Sequence, residues 1–175
     1  MDCIKLLPEI VANQIAAGEV VNAPSNVVKE MMENALDAGA ECVRVNFRNG
    51  GKDLIQIVDD GCGMSALDAR MAFDRHATSK IRSVEDIYRL HTFGFRGEAL
   101  AAIASVSDIR IISKTAEAAY GTALEAHAGE IVSLCEQGAT TGTYSTQLIL
   151  FLSQPILILQ VTGFETASTI ALVTL

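Results

Sequence analysis

Three polar side chains stand at helical spacing early in the chain: Glu30, Asn34 four residues on, and Asp37 three beyond that. At about 100° per residue they fall within about 60° of one another, so one helix face would gather a carboxylate, an amide and a second carboxylate. Read alone, the pattern describes an ordinary solvated helix surface, and spacing by itself proves little. A second group follows an apolar run: Asp59-Asp60-Gly61-Cys62-Gly63 puts a carboxylate at a strand end, followed by two glycines. A fixed carboxylate there can accept a hydrogen bond from an exocyclic amine, and glycines let a ligand approach the backbone. Read by itself it is equally a turn.

A third group, Gly94-Phe95-Arg96-Gly97 ahead of Glu98-Ala99-Leu100, sets glycines and a cation before a helix. Free backbone N–H groups and the positive dipole end suit phosphate there, although a tight helix entry looks the same. Arg75-His76-Ala77-Thr78-Ser79-Lys80 adds cations and hydroxyls in a loop that could close over an anionic ligand, or lie as plain surface. A lone histidine such as His76 carries no catalytic claim.

These groups need a scaffold. Apolar spacing predicts a first helix from residue 8 to 17, stopped by Gly18, and a stronger one opened by Pro24-Ser25 and closed before Gly39. Residues 42–47 and 54–58 read as strands joined by Asn49-Gly50-Gly51. Ser65 with Asp68 three residues on predicts a helix start. A small-residue helix is expected from Arg96 to about Ala104, then strands at 109–113, 122–126 and 131–134. Helices early and strands without regular βαβ alternation predict an α+β sandwich, with helices on one face of a mixed sheet.

The bulk numbers set bounds. With 175 residues, 50% hydrophobic and 19% charged, the chain fits one folded domain. A net charge of −8 makes it a poor binder of nucleic acid through its own surface. The four cysteines, Cys3, Cys42, Cys62 and Cys135, form no C-x-x-C pair, so neither a zinc site nor a disulfide framework is expected. The start of the chain lacks the layout of a signal peptide, which predicts a cytosolic or nuclear home. Beyond Thr143 the only charged residue is Glu165. In that tail, Ser153-Gln154-Pro155 interrupts the apolar runs, so no membrane span is expected, and Pro155 would confine a strand to an edge or a break.

Taken in order, residues 13–21 (NQIAAGEVV), 33–40 (ENALDAGA), 59–63, 75–80 (RHATSK) and 94–100 (GFRGEAL) resemble the N-terminal ATPase domain of the MutL family of DNA mismatch-repair proteins. The wider superfamily, which includes type II topoisomerase subunits, histidine kinases and heat-shock chaperones, shares the E-x-x-x-N and D-x-G-x-G parts. The resemblance implies a two-layer sandwich of the GHKL (Bergerat) ATPase type and binding of ATP with Mg²⁺. Glu30 would be the general base, Asn34 the Mg²⁺ ligand and Asp59 the reader of the adenine amine, with Gly63 and Thr143 completing the base pocket. Thr78, Ser79, Lys80, Gly94, Phe95, Arg96 and Gly97 would hold the phosphates. It further implies nucleotide-driven closure and dimerisation with MutL-type subunits, coupled to a MutS-type recognition protein and to DNA, with no membrane.

Asp60 departs from the family's usual Asn and is expected to add a carboxylate at the pocket rim, and Asn22-Ala23-Pro24 replaces a common Glu-Arg-Pro. After Thr143 the family's L-F-x-N-x-P-A-R segment and its second-domain lysine have no counterpart. The expectation is therefore an ATP-binding domain over 1–143 and a divergent, frame-shifted or artefactual tail over 144–175. Turnover would be slow or absent, the alternative being a nucleotide-binding or interaction fragment.

Overall fold

The computed structural model describes residues 5–81, 83, 85–89, 92–94, 97–150 and 169–174. Among the described residues, four α-helices, α1 (Glu9–Val20), α2 (Pro24–Asp37), α3 (Ala66–Met71) and α4 (Ala99–Ser105), accompany seven strands. The strands are β1 (Cys42–Arg48), β2 (Leu54–Asp59), β3 (Ser107–Lys114), β4 (Gly121–His127), β5 (Glu130–Gln137), β6 (Gly142–Leu150) and β7 (Thr169–Thr174). They form one sheet in the order β5-β4-β3-β6-β2-β1-β7.

The architecture is the expected α+β sandwich, with a different pairing. Every pairing in the described sheet is antiparallel, so it is not mixed. Hairpins β1–β2, β3–β4 and β4–β5 supply most of it, and β6 returns between β3 and β2. Strand β6 crosses the composition break at residue 144 and lies inside the sheet. Expectations for residues 151–168, including the break at Pro155, fall outside the described residues.

Alternation along the strands sends Val43, Val45, Ile55, Ile57, Ile109 and Ile111 into the core, where Val27 and Ala35 of α2 and Ile103 of α4 meet them. Helix α1 runs through Gly18 instead of stopping there. Burial of Ala17 and Val21, at 0% and 1% exposure, outweighs the roughly 1 kcal/mol that a helical glycine costs. Helix α2 begins with Pro24 at its first turn, where a missing N–H costs nothing. Helix α3 starts as its sequence predicts, the Ser65 hydroxyl accepting the Asp68 N–H at 3.1 Å.

Candidate functional site

Helix α2 carries the first group. Its polar face is not a solvated surface: the Glu30 and Glu33 side chains are 27% and 22% exposed, and that of Asp37 only 5%. Lys29 bridges both glutamates, at 3.1 Å to Glu30 and 2.9 Å to Glu33, and thereby steadies the exposed edge of this face.

Asp37 is the anchor of the loops beyond. It pairs with Lys80, and it accepts the backbone N–H of Phe93 at 3.0 Å and of Gly94 at 3.2 Å. Burial pushes its carboxyl up, but the bonds from Lys80, Phe93 and Gly94 outweigh that and hold it below its ordinary value of 3.8. A Cβ placed on Gly94 would stand 3.4 Å from Lys80 Nζ and 4.0 Å from Asn34 Oδ1. Asn34, Asp37, Lys80 and Gly94 therefore surround one point.

The 75–80 loop joins the same neighbourhood through Gly97. That residue has φ +64°, and an added Cβ would come within 2.1 Å of the Ala77 carbonyl oxygen. His76 Nδ1 lies 3.0 Å from Glu98 Oε1, and Arg75 donates to Asn13 at 2.9 Å, so the loop is pinned to α1 and to the entry of α4. The Thr78 hydroxyl accepts the Lys80 N–H at 3.2 Å, while Ser79 is exposed. Phe95 and Arg96 lie outside the described residues.

The second group forms at the end of β2. Asp59 Oδ1 accepts from Gly61 N–H at 3.0 Å and from Thr143 N–H at 3.3 Å. Oδ2 carries no hydrogen bond among the described residues. Burial, against these two N–H bonds and with the nearby Asp60 charge, raises the Asp59 carboxyl above its ordinary 3.8. The Asp59–Gly63 loop reaches α2 as well, since Cys62 N–H donates to the Ala38 carbonyl at 3.0 Å. Gly63, at φ +70°, is required by the protein itself: a Cβ would fall 2.1 Å from the Lys114 carbonyl oxygen.

Asp60 lends its charge to the neighbourhood of Asp59 and also serves the scaffold. Its Oδ1 accepts from Glu41 N–H at 2.9 Å and Cys42 N–H at 2.8 Å, tying the loop to the start of β1. Ser113 is a residue that sequence reasoning missed. It is 1% exposed and bonds to Met64 N–H, the Gly142 carbonyl and the Thr143 hydroxyl. The signal was available, because Ser113 continues the inward row of Ile109 and Ile111 with a polar side chain.

The whole arrangement is a carboxylate with one free oxygen at one end of α2 and an amide, a cation and loop N–H groups along its face. Residues 22–136 match the family described as histidine kinase-, DNA gyrase B-, and HSP90-like ATPase, and the chain belongs to that family. Within it, the chain is 50% identical over 154 residues to the DNA mismatch repair protein MutL of Parabacteroides distasonis, covering 88% of this chain and 25% of that protein. It is 55% identical over 130 residues to MutL of Porphyromonas gingivalis, covering 74% of this chain and 21% of the relative. It thus spans about a quarter of the length of the curated relatives it matches. Among solved structures, the Aquifex aeolicus MutL ATPase domain complexed with ADP aligns with TM-score 0.55 and 29% identity, over 78% of this chain and 46% of that one. The N-terminal domain of a DNA repair protein aligns with TM-score 0.63 and 26% identity, over 80% of this chain and 39% of that one.

Proposed function

We propose that this chain is the ATP-binding and ATPase module of a MutL-like DNA mismatch-repair protein. The observation that carries this reading is Asp59: its Oδ1 is held by two backbone N–H groups while Oδ2 is left to accept from a ligand amine. Asp59 takes the adenine amino group, with Gly63 and Thr143 beside it. Lys80, Thr78, Ser79, Gly94 and Gly97 would hold the phosphates, and Phe95 and Arg96, outside the described residues, are assigned to the same role from sequence alone. Kinship with a MutL domain complexed with ADP supports the same choice of ligand.

The donor set suits magnesium. Among the described residues no three His, Cys, Asp or Glu side chains gather to hold a metal, so the ion would rest on Asn34 Oδ1, phosphate oxygens and water. When bound, the ion neutralises charge on the phosphates. Asn34 orients, and Glu30, one helical turn away on the same face, accepts the proton of the attacking water. Lys80, tethered to Asp37, offers its ammonium at the point where Gly94 N–H also lies.

Nucleotide-dependent closure and dimerisation, coupling to a MutS-type protein and to DNA, and a cytoplasmic location complete the proposal by kinship with bacterial MutL proteins. The nucleotide residues all fall within 1–143, which we assign as the ATP-binding unit, while β6 carries the same sheet further. Among the described residues no helix is long and apolar enough to cross a membrane. Calorimetric titration with ATP, with and without Mg²⁺, tests the reading. Saturable Mg-dependent binding is expected, and a folded chain that binds no nucleotide would overturn it.

A further inference from the structure

Ser113 sits at the junction of three pieces of the base site. Its hydroxyl has one proton and two lone pairs. Met64 N–H, at 2.8 Å, occupies one lone pair. The Gly142 carbonyl, at 3.2 Å, can only accept, and so takes the proton. The remaining lone pair faces Thr143 Oγ1 at 2.9 Å, so it is Thr143 that donates to Ser113. At 1% exposure, water does not compete for any of these positions.

We propose that Ser113 is a specificity-determining positioning residue: by drawing in the Thr143 proton, it makes Thr143 present only lone pairs to the base. The inference rests on the nucleotide reading above and deepens it. Asp59, whose backbone-held carboxylate adjoins Thr143, also presents only acceptors. Two acceptors side by side suit a purine with an amine at C6, whose N–H groups donate. A carbonyl at C6 meets acceptors and goes unpaired, a loss that the single N1–H of such a base offsets only in part, so the site disfavours it. Without Ser113, the Thr143 hydroxyl is free to turn and donate to such a carbonyl.

The test is calorimetry on the full chain with Mg-ATP and with Mg-ITP, which differs by carrying a carbonyl at C6 and a proton on N1. Thermal melting reports folding in parallel. Ser113→Ala should reduce the preference for ATP over ITP by about tenfold. On a Thr143→Val background the same substitution should leave the preference where Thr143→Val alone puts it, since no hydroxyl remains to orient. A serine with only a structural role would weaken both nucleotides alike, and an unchanged preference in folded Ser113→Ala overturns the proposal. If Ser113→Ala does not fold, Ser113→Cys, which nearly keeps the size and weakens the acceptor that takes the Thr143 proton, is read by the same ratio and the same criterion. A folded wild-type chain that binds neither nucleotide overturns the base site and this inference with it, whereas wild-type binding with an unchanged variant ratio overturns the inference alone.

Discussion

Asp59→Asn separates the charge of the base site from its scaffold. An asparagine keeps an oxygen where Gly61 and Thr143 donate, at 3.0 and 3.3 Å, so the Asp59–Gly63 loop retains its ties. The free Oδ2 becomes an NH₂ group, a donor facing the donor amine of adenine. Losing a hydrogen bond to a charged group removes about 1.5–3 kcal/mol, and leaving a donor unpaired costs about 1–3 kcal/mol more. The sum, about 2.5–6 kcal/mol, is a roughly 10²- to 10⁴-fold loss of ATP affinity at about 1.4 kcal/mol per decade. Folding should move the other way. The Asp59 carboxyl is raised by burial, so the folded state holds its proton more tightly than the unfolded one, and the ionised form opposes folding at neutral pH. The neutral variant should therefore melt no lower than wild type. Calorimetry and thermal melting together check both signs. In wild type, ATP affinity should also fall as pH drops, beginning above the ordinary aspartate value of 3.8 as Asp59 protonates. Asp59→Asn binding within threefold of wild type, at unchanged melting temperature, would mean the base is read elsewhere.

Glu30→Ala should abolish ATP hydrolysis while leaving the calorimetric affinity for Mg-ATP within about threefold, since the base acts only on water; equal turnover in both proteins would remove Glu30 from that role. Asn34→Ala should weaken binding of Mg-ATP by about tenfold or more and leave metal-free ATP nearly unchanged, and an equal loss in both titrations would argue against metal ligation. Gly63→Ala, at φ +70° and 2.1 Å from the Lys114 oxygen, should lower unfolding free energy by more than about 2 kcal/mol in urea; an unshifted midpoint would refute the contact. Asp37, held below 3.8, contributes stability that is present above the unfolded value and lost as pH falls through its lower folded value. Asp37→Asn should cost about 2 kcal/mol at pH 7 and flatten that acid limb in urea unfolding at stepped pH, whereas a wild-type-like limb would show that another carboxyl causes it.

Much of the positioning was legible because it is local. The face of α2, the β1–β2 hairpin and the Ser65 cap each depend on residues within a few positions of one another, where periodicity and turn chemistry speak directly. What escaped was decided across the sheet. Gly18 stays helical because Ala17 and Val21 are buried by distant elements, not by anything in the helix itself. Asp60, next to the base carboxylate in sequence, turns to backbone N–H groups eighteen and nineteen residues earlier. The antiparallel sheet was hidden because pairing direction is set by chain path, which strand patterns do not encode. Ser113 looked like the polar end of a strand until β6 brought Gly142 and Thr143 beside it.

The position of β6 governs the order in which this site can come into being. Hairpin β1–β2 and the β3–β4–β5 meander are each local, and β6 is the strand that joins them. Asp59 and Ser113, fifty-four positions apart, are joined in one pocket by Gly142 and Thr143, beside the direct Met64–Ser113 bond. On a ribosome, therefore, both halves can take shape as they emerge, but the base site cannot assemble until synthesis has passed β6. Contacts of such sequence separation form late, after the loop-closure entropy has been met. Until then the nascent chain exposes two raw strand edges, on β3 and on β2, and the seam that β6 later closes is where a chaperone would have most to protect.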